Sequence, residues 1–186
     1  MPTTTRSRSL RDVALVVFMR GVNVGSAKRF QPSLLARDLE HLGVSNLGAA
    51  GTFVVRGAIG QAALRAEFLR RLPFACDLMV CQGRDLLKLG AAEPFPDSSE
   101  NPDLRRFVSI LARRLPKPPV LPWSYPAGEQ WQVSLVGVSG RFVLCHCRRF
   151  GTSGLEPNTL IEKRFGVRAT TRNWNTILRV CQLLQP

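Results

Sequence analysis

Histidine is nearly missing from this chain: His41 and His146 are the two among 186 residues. Imidazole base catalysis and zinc centres built on several His therefore have almost no material to work with. No Gly-x-Ser-x-Gly elbow, Walker loop or GxGxxG loop occurs, so the common hydrolase and nucleotide-loop signatures are missing too. Carboxylates number 13, and none form a tight pair. Asp38 and Glu40 share a predicted helix, but a two-residue offset keeps them off one face. There is no apolar run of about 18 residues, which excludes a membrane-spanning helix. The cysteines are five, an odd number without framework spacing, which argues against a secreted disulfide scaffold.

What the chain does have is arginine. Its 22 Arg and 4 Lys give a formal net charge of +13. The excess is regional. Residues 1–60 carry a net +5, residues 61–104 a net −2, and residues 105–186, with 13 cations and 3 acids, a net +10. A polyanion-binding surface in the second half and an Arg-rich genome composition both account for that excess. Three Arg precede the apolar run Val13–Met19 and imitate a signal peptide. The run has only seven residues, and Arg20-Gly21-Val22-Asn23 follows it in place of a small-residue cleavage site. The reading is a buried first strand in a cytoplasmic protein with reduced thiols.

Periodicity gives the order of elements. After a tail over residues 1–11, strand 13–19 leads through a Gly-containing loop to a helix. That helix opens at Gln31-Pro32, with Leu35, Leu39 and Leu42 on one face and Gly43 at its end. Strands follow around Gly51, at 46–50 and 52–56, then a helix over 61–72, a strand over 77–81 and a short helix over 83–91. This is β-α-β-β-α-β, the order of a ferredoxin-like unit. Residues 92–104 read as a linker. The second half, 105–186, repeats the order less cleanly. Five Pro in 115–126 replace a helix with an extended segment. A hairpin crosses Ser139-Gly140, a helix opens at Glu156-Pro157, a strand lies near 167–171, and an amphipathic helix starts at Asn173. The expected fold class is α+β: duplicated ferredoxin-like units, 12–91 and 105–186, with a C-terminal helix.

Three segments carry candidate chemistry. In the first, Arg20, Gly21, Asn23, Gly25 and Lys28 sit between a strand and a helix, where backbone N–H groups bind anions. A plain turn needing Gly at positive φ explains the same residues. In the second, Arg148, Arg149 and Ser153 lie in a basic loop with Phe150 and two Gly, fit for phosphate or simply an exposed turn. In the third, Arg172 and Asn173 stand at the expected start of the last helix, as anion ligands or as caps. Cys145-His146-Cys147 lacks further ligands nearby and reads as core thiols. No metal and no cofactor is implied.

The pair Arg20-Gly-Val-Asn-Val-Gly25 and Thr171-Arg-Asn-Trp-Asn-Thr176 resembles the bacterial domain of unknown function 1697 family, over about residues 12–184. The resemblance implies a duplicated ferredoxin-like fold and no established activity. The chain departs from that pattern at Ala50-Gly51-Thr52, where the family usually has Ser-Gly-Asn. It departs again at Gly151-Thr-Ser-Gly-Leu155, where the family often has Gly-Arg-Ser-Lys-Leu. The expected partner is a phosphate-bearing ligand, nucleic acid first, with no membrane. The alternative is an enzyme or small-anion receptor joining the Asn23 loop to Arg172-Asn173.

Overall fold

Leu15–Met19 is apolar at every position and forms strand β1 with all five residues buried, so both of its faces are covered. The computed structural model describes residues 14–22, 30–95, 103–148 and 157–185. Over these the protein is α+β, with two antiparallel sheets and five α-helices. It divides into two compact units. One runs to Lys88 and takes in the chain from Val180 onward; the other is Leu89–Arg179. The sequence reading put the whole terminal helix with the second half. Its last residues group with the first unit instead.

In the first unit, β1 is followed by α1 (Pro32–Asp38), β2 (Val44–Asn46), β3 (Thr52–Val55), α2 (Gln61–Arg71) and β4 (Leu78–Gln82). Then comes α3 (Gly83–Ala91), which crosses the boundary between the units. The strand order is β2-β3-β1-β4. Pro32 occupies the first turn of α1, where its missing N–H is not needed. The helix stops at Asp38, and a 3₁₀ turn, Glu40–Leu42, ends on Gly43 at φ 62°. That left-handed residue turns the chain directly into β2, two residues earlier than the sequence reading placed it. Alternate residues of the sheet, Leu15, Val17, Phe53, Val55 and Val80, bury against Leu35 and Leu39, and against Leu64 and Phe68 of α2. Phe53 and Phe68 meet edge to face, with centroids 5.2 Å apart.

The second sheet has the order β6-β7-β8-β5-β9. Its strands are β5 (Leu104–Leu111), β6 (Trp123–Tyr125), β7 (Val133–Ser139), β8 (Phe142–Arg148) and β9 (Ala169–Asn173), with α4 (Pro157–Phe165) before β9 and α5 (Trp174–Leu184) after it. One sheet face carries Val133, Leu135, Val143, Cys145, Cys147 and Ala169, buried against Leu160 and Ile161 of α4. Leu115 and Leu121 pack onto the same core. The Pro-rich segment thus adds apolar cover where no helix forms. Cys145 and Cys147 are core thiols, pushed up to about 12 by burial. No described helix is long and apolar enough to cross a membrane.

Candidate nucleic-acid interface

The predicted site residues fall in separate places. Arg20 and Gly21 follow β1 in the first unit. The Arg20 N–H donates to the Asp77 carbonyl at 2.9 Å, and Gly21 has φ 67°, as a turn off a buried strand requires. Asn23, Gly25 and Lys28 lie outside the described residues, as do Arg149 and Ser153. Arg148, Arg172 and Asn173 belong to the second unit.

Arg172 and Asn173 end strand β9, so the helix expected from Asn173 starts one residue later, at Trp174. Asn173 is the cap: its Oδ1 accepts from the Asn175 N–H at 2.8 Å, satisfying a first-turn donor. Arg172 is 7% exposed. Its Nη1 donates to Thr170 Oγ1 and to the Thr171 carbonyl, each at 2.9 Å. Thr171 donates to Asn158 Oδ1 at 2.6 Å and lies 2.6 Å from Ser109 Oγ, tying β9 to both α4 and β5. This polar run is therefore engaged by the fold itself.

Strand register puts Arg148 and Arg172 on one sheet face, two side-chain rows apart, because Arg148 pairs with Leu104 and Arg172 with Val108. The row between holds Ser124, Ser134, His146 and Arg106, aligned across four strands. Ser124 donates to Ser134 at 2.9 Å. His146 lies against Phe95, centroids 5.4 Å apart, and its buried Nε2 has no hydrogen-bond partner. Burial first, and the Arg106 charge second, hold its pKa below the usual histidine value.

The more open surface lies at the β6 edge. Trp123 and Tyr125 are two residues apart and so share a side of the strand. Their rings stack with centroids 6.3 Å apart and an interplanar angle of 28°. Tyr125 is 43% exposed. The Arg164 guanidinium stands 5.7 Å from the Trp123 ring. At the other end of the edge, the Gln132 N–H donates to the Tyr125 carbonyl at 2.8 Å, which brings the neighbouring Trp131 close. The Arg148 guanidinium lies 3.9 Å over the Trp131 ring and donates to the Glu129 carbonyl at 2.7 Å. Both contacts fall in the cation–π range.

A basic cluster forms where β5 ends and β8 and β9 begin. The Ala112 N–H donates to the Arg168 carbonyl at 2.8 Å, and Arg141 Nη1 donates to the Ala112 carbonyl at 3.2 Å. Arg113 and Arg114 follow directly in the chain and are exposed, as are Lys117, Lys163, Arg164 and Arg168. Among the described residues from 105 to 179 the carboxylates are Glu129 and Glu162. Glu162 accepts from the Ala169 N–H at 2.8 Å and lies 4.0 Å from Arg168.

Sequence reasoning missed Trp123, Tyr125, Arg113, Arg114, Arg141 and Arg168 as site residues. The available signal was the aromatic-small-aromatic alternation Trp123-Ser124-Tyr125, hidden inside a Pro-rich stretch.

Residues 13–137 match the family described as "Protein of unknown function (DUF1697)". No curated protein matches the chain. Among solved structures it is similar to "conserved bacterial protein SP0830 from Streptococcus pneumoniae", at 17% identity and a TM-score of 0.60. The match covers 92% of this chain and 98% of that one. At that identity the likeness is one of fold.

Proposed function

The chain belongs to the DUF1697 family of proteins of unknown function, and for this member we propose binding of a phosphate-bearing ligand, nucleic acid, on the basic side of the second unit. One observation carries the reading. The β6 edge presents the Trp123–Tyr125 pair with exposed Arg164 5.7 Å from the Trp123 ring, and exposed Arg113, Arg114 and Arg168 add a basic cluster at the ends of β5 and β9 in the same unit. Phosphates supply most of the affinity of such a surface, while base contacts add to it. Arg148, with its guanidinium held over Trp131 and bonded to the Glu129 carbonyl, adds a cation beside the chain between β6 and β7. Arg149 and Ser153 follow it in the chain and belong to the same proposal.

We read the two sheets as a duplicated ferredoxin-like unit whose second copy has lost its first helix. Support comes from strand order: with β6 set aside, β7-β8-β5-β9 repeats the β2-β3-β1-β4 arrangement of the first sheet. Five cysteines held as thiols suit a reducing compartment such as the cytoplasm. The small-anion receptor built on Arg172 has less behind it, since that guanidinium is buried and bonded to Thr170 and Thr171.

The test is fluorescence anisotropy of labelled RNA and DNA against salt. Binding at about 50 mM salt should weaken steeply by 200 mM, with a linear log–log slope. The Arg113→Ala/Arg114→Ala double variant should flatten that slope. Absence of any binding at about 50 mM salt, where phosphate contacts are strongest, defeats the proposal.

A further inference from the structure

We propose that the nucleic acid is taken as a single strand, with an unpaired base stacked on Tyr125 beside Trp123. This rests on the nucleic-acid reading above and adds the strandedness of the ligand. In a duplex the bases already stack on one another, so only an unpaired base can offer its face to a protein ring. The β6 edge offers such a face: Tyr125 is 43% exposed and its ring is backed by Trp123, centroids 6.3 Å apart. A cation stands at one end of the pair, Arg164 at 5.7 Å from the Trp123 ring, and a second, Arg148, lies 3.9 Å over Trp131 on the chain that enters β7. A backbone running along the edge therefore meets the positive charge of Arg164 beside the stacked base.

The same edge is poorly suited to the other common occupant, a peptide added as a further strand. β6 spans only Trp123–Tyr125, and Pro122 and Pro126 on either side have no N–H to donate. Charge complementarity and ring geometry thus agree on an unpaired polyanion.

The experiment compares a labelled single-stranded RNA of about ten nucleotides, a length within the usual site sizes, with the duplex of the same sequence. Tyr125→Ala should weaken single-strand binding about tenfold and leave duplex binding unchanged, while Tyr125→Phe, which keeps the ring, should bind as the parent does. The Arg113→Ala/Arg114→Ala variant should weaken both ligands. In the parent protein, saturation with the single strand should quench tryptophan emission, a readout that does not depend on any variant folding. The inference is overturned if the duplex binds as tightly as the single strand, if Tyr125→Ala leaves single-strand affinity intact, or if tryptophan emission does not change at saturation. In those cases the broader reading survives, provided binding and its salt slope persist. Loss of all binding in the parent protein overturns both.

Discussion

Replacing Gly51 by alanine separates two costs that usually arrive together. Gly51 has φ 68°, and a Cβ built on it would stand 2.8 Å from Met19 Cβ and 2.9 Å from Met19 Sδ. The left-handed backbone costs an L residue about 1–2 kcal/mol, and about half of that is offset by the reduced freedom of the unfolded chain. The close contact adds overpacking, typically about 1–3 kcal/mol. Little can relax, because Met19 is 1% exposed and its N–H bonds the Gly51 carbonyl at 2.8 Å. The expected total is about 2–4 kcal/mol, or roughly 5–15 °C in Tm for a chain of this size. Gly48 supplies the control within the same turn. Its φ is 76° and nothing lies within 4 Å of its added Cβ, so Gly48→Ala should cost only about 1 kcal/mol. Urea melts followed by far-UV circular dichroism measure both. All three Trp lie in the second unit, so tryptophan emission reports separately on whether that unit is disturbed. If Gly51→Ala costs no more than Gly48→Ala, the close approach of the turn to Met19 is not what makes glycine necessary there.

Phe68→Ala removes a ring with 0% exposure stacked edge-on against Phe53, and should destabilise by about 3–5 kcal/mol in the same melts. His146 is held neutral in the folded state by burial and by Arg106, so the unfolded chain takes up a proton that the folded one refuses. Stability contributed at neutral pH should then fall as pH drops below about 6.5, the ordinary histidine value. His146→Gln should remove that part of the pH slope, and an unchanged slope counts against the assignment. Cys145 and Cys147, with thiols near 12, should resist alkylation at pH 8 in the native protein, while half-buried Cys76 reacts first; mass spectrometry of the labelled peptides decides it.

Local signals made much of the fold legible. An unbroken apolar run marked β1, proline at the first helical position marked α1, and Ser139-Gly140 marked the β7–β8 turn, with Gly140 at φ 61°. Each of these depends on neighbours in the chain. β6 was not legible, because three residues between prolines show no period. The candidate site was legible only in part. Net charge points to the second half, and Arg148 ends β8 with its guanidinium over Trp131. The place of Arg172 near a helix start suggests an anion ligand, yet strand register and Thr170 decide that its side chain is buried. Arg113, Arg141 and Arg168 come together through pairings of Ala112 with residues 29 and 56 positions away. Long-range pairing of that kind leaves no mark in a local window.

The end of α5 bears on how the protein is made. Arg56 Nη2 donates to the Leu183 carbonyl at 2.6 Å, and Cys181 Sγ donates to the Leu86 carbonyl at 3.3 Å. Gly83 would crowd Leu184 if it carried a Cβ. A ribosome releases Arg56 and Gly83 well before it has translated residues 181–184. The unit begun first is thus finished last, after every strand of the second sheet has emerged. During that interval its surface beside Gly83 waits for a helix not yet synthesised. Nascent chains stalled just before residue 180 should therefore engage chaperones more than chains stalled after residue 185 has cleared the exit tunnel.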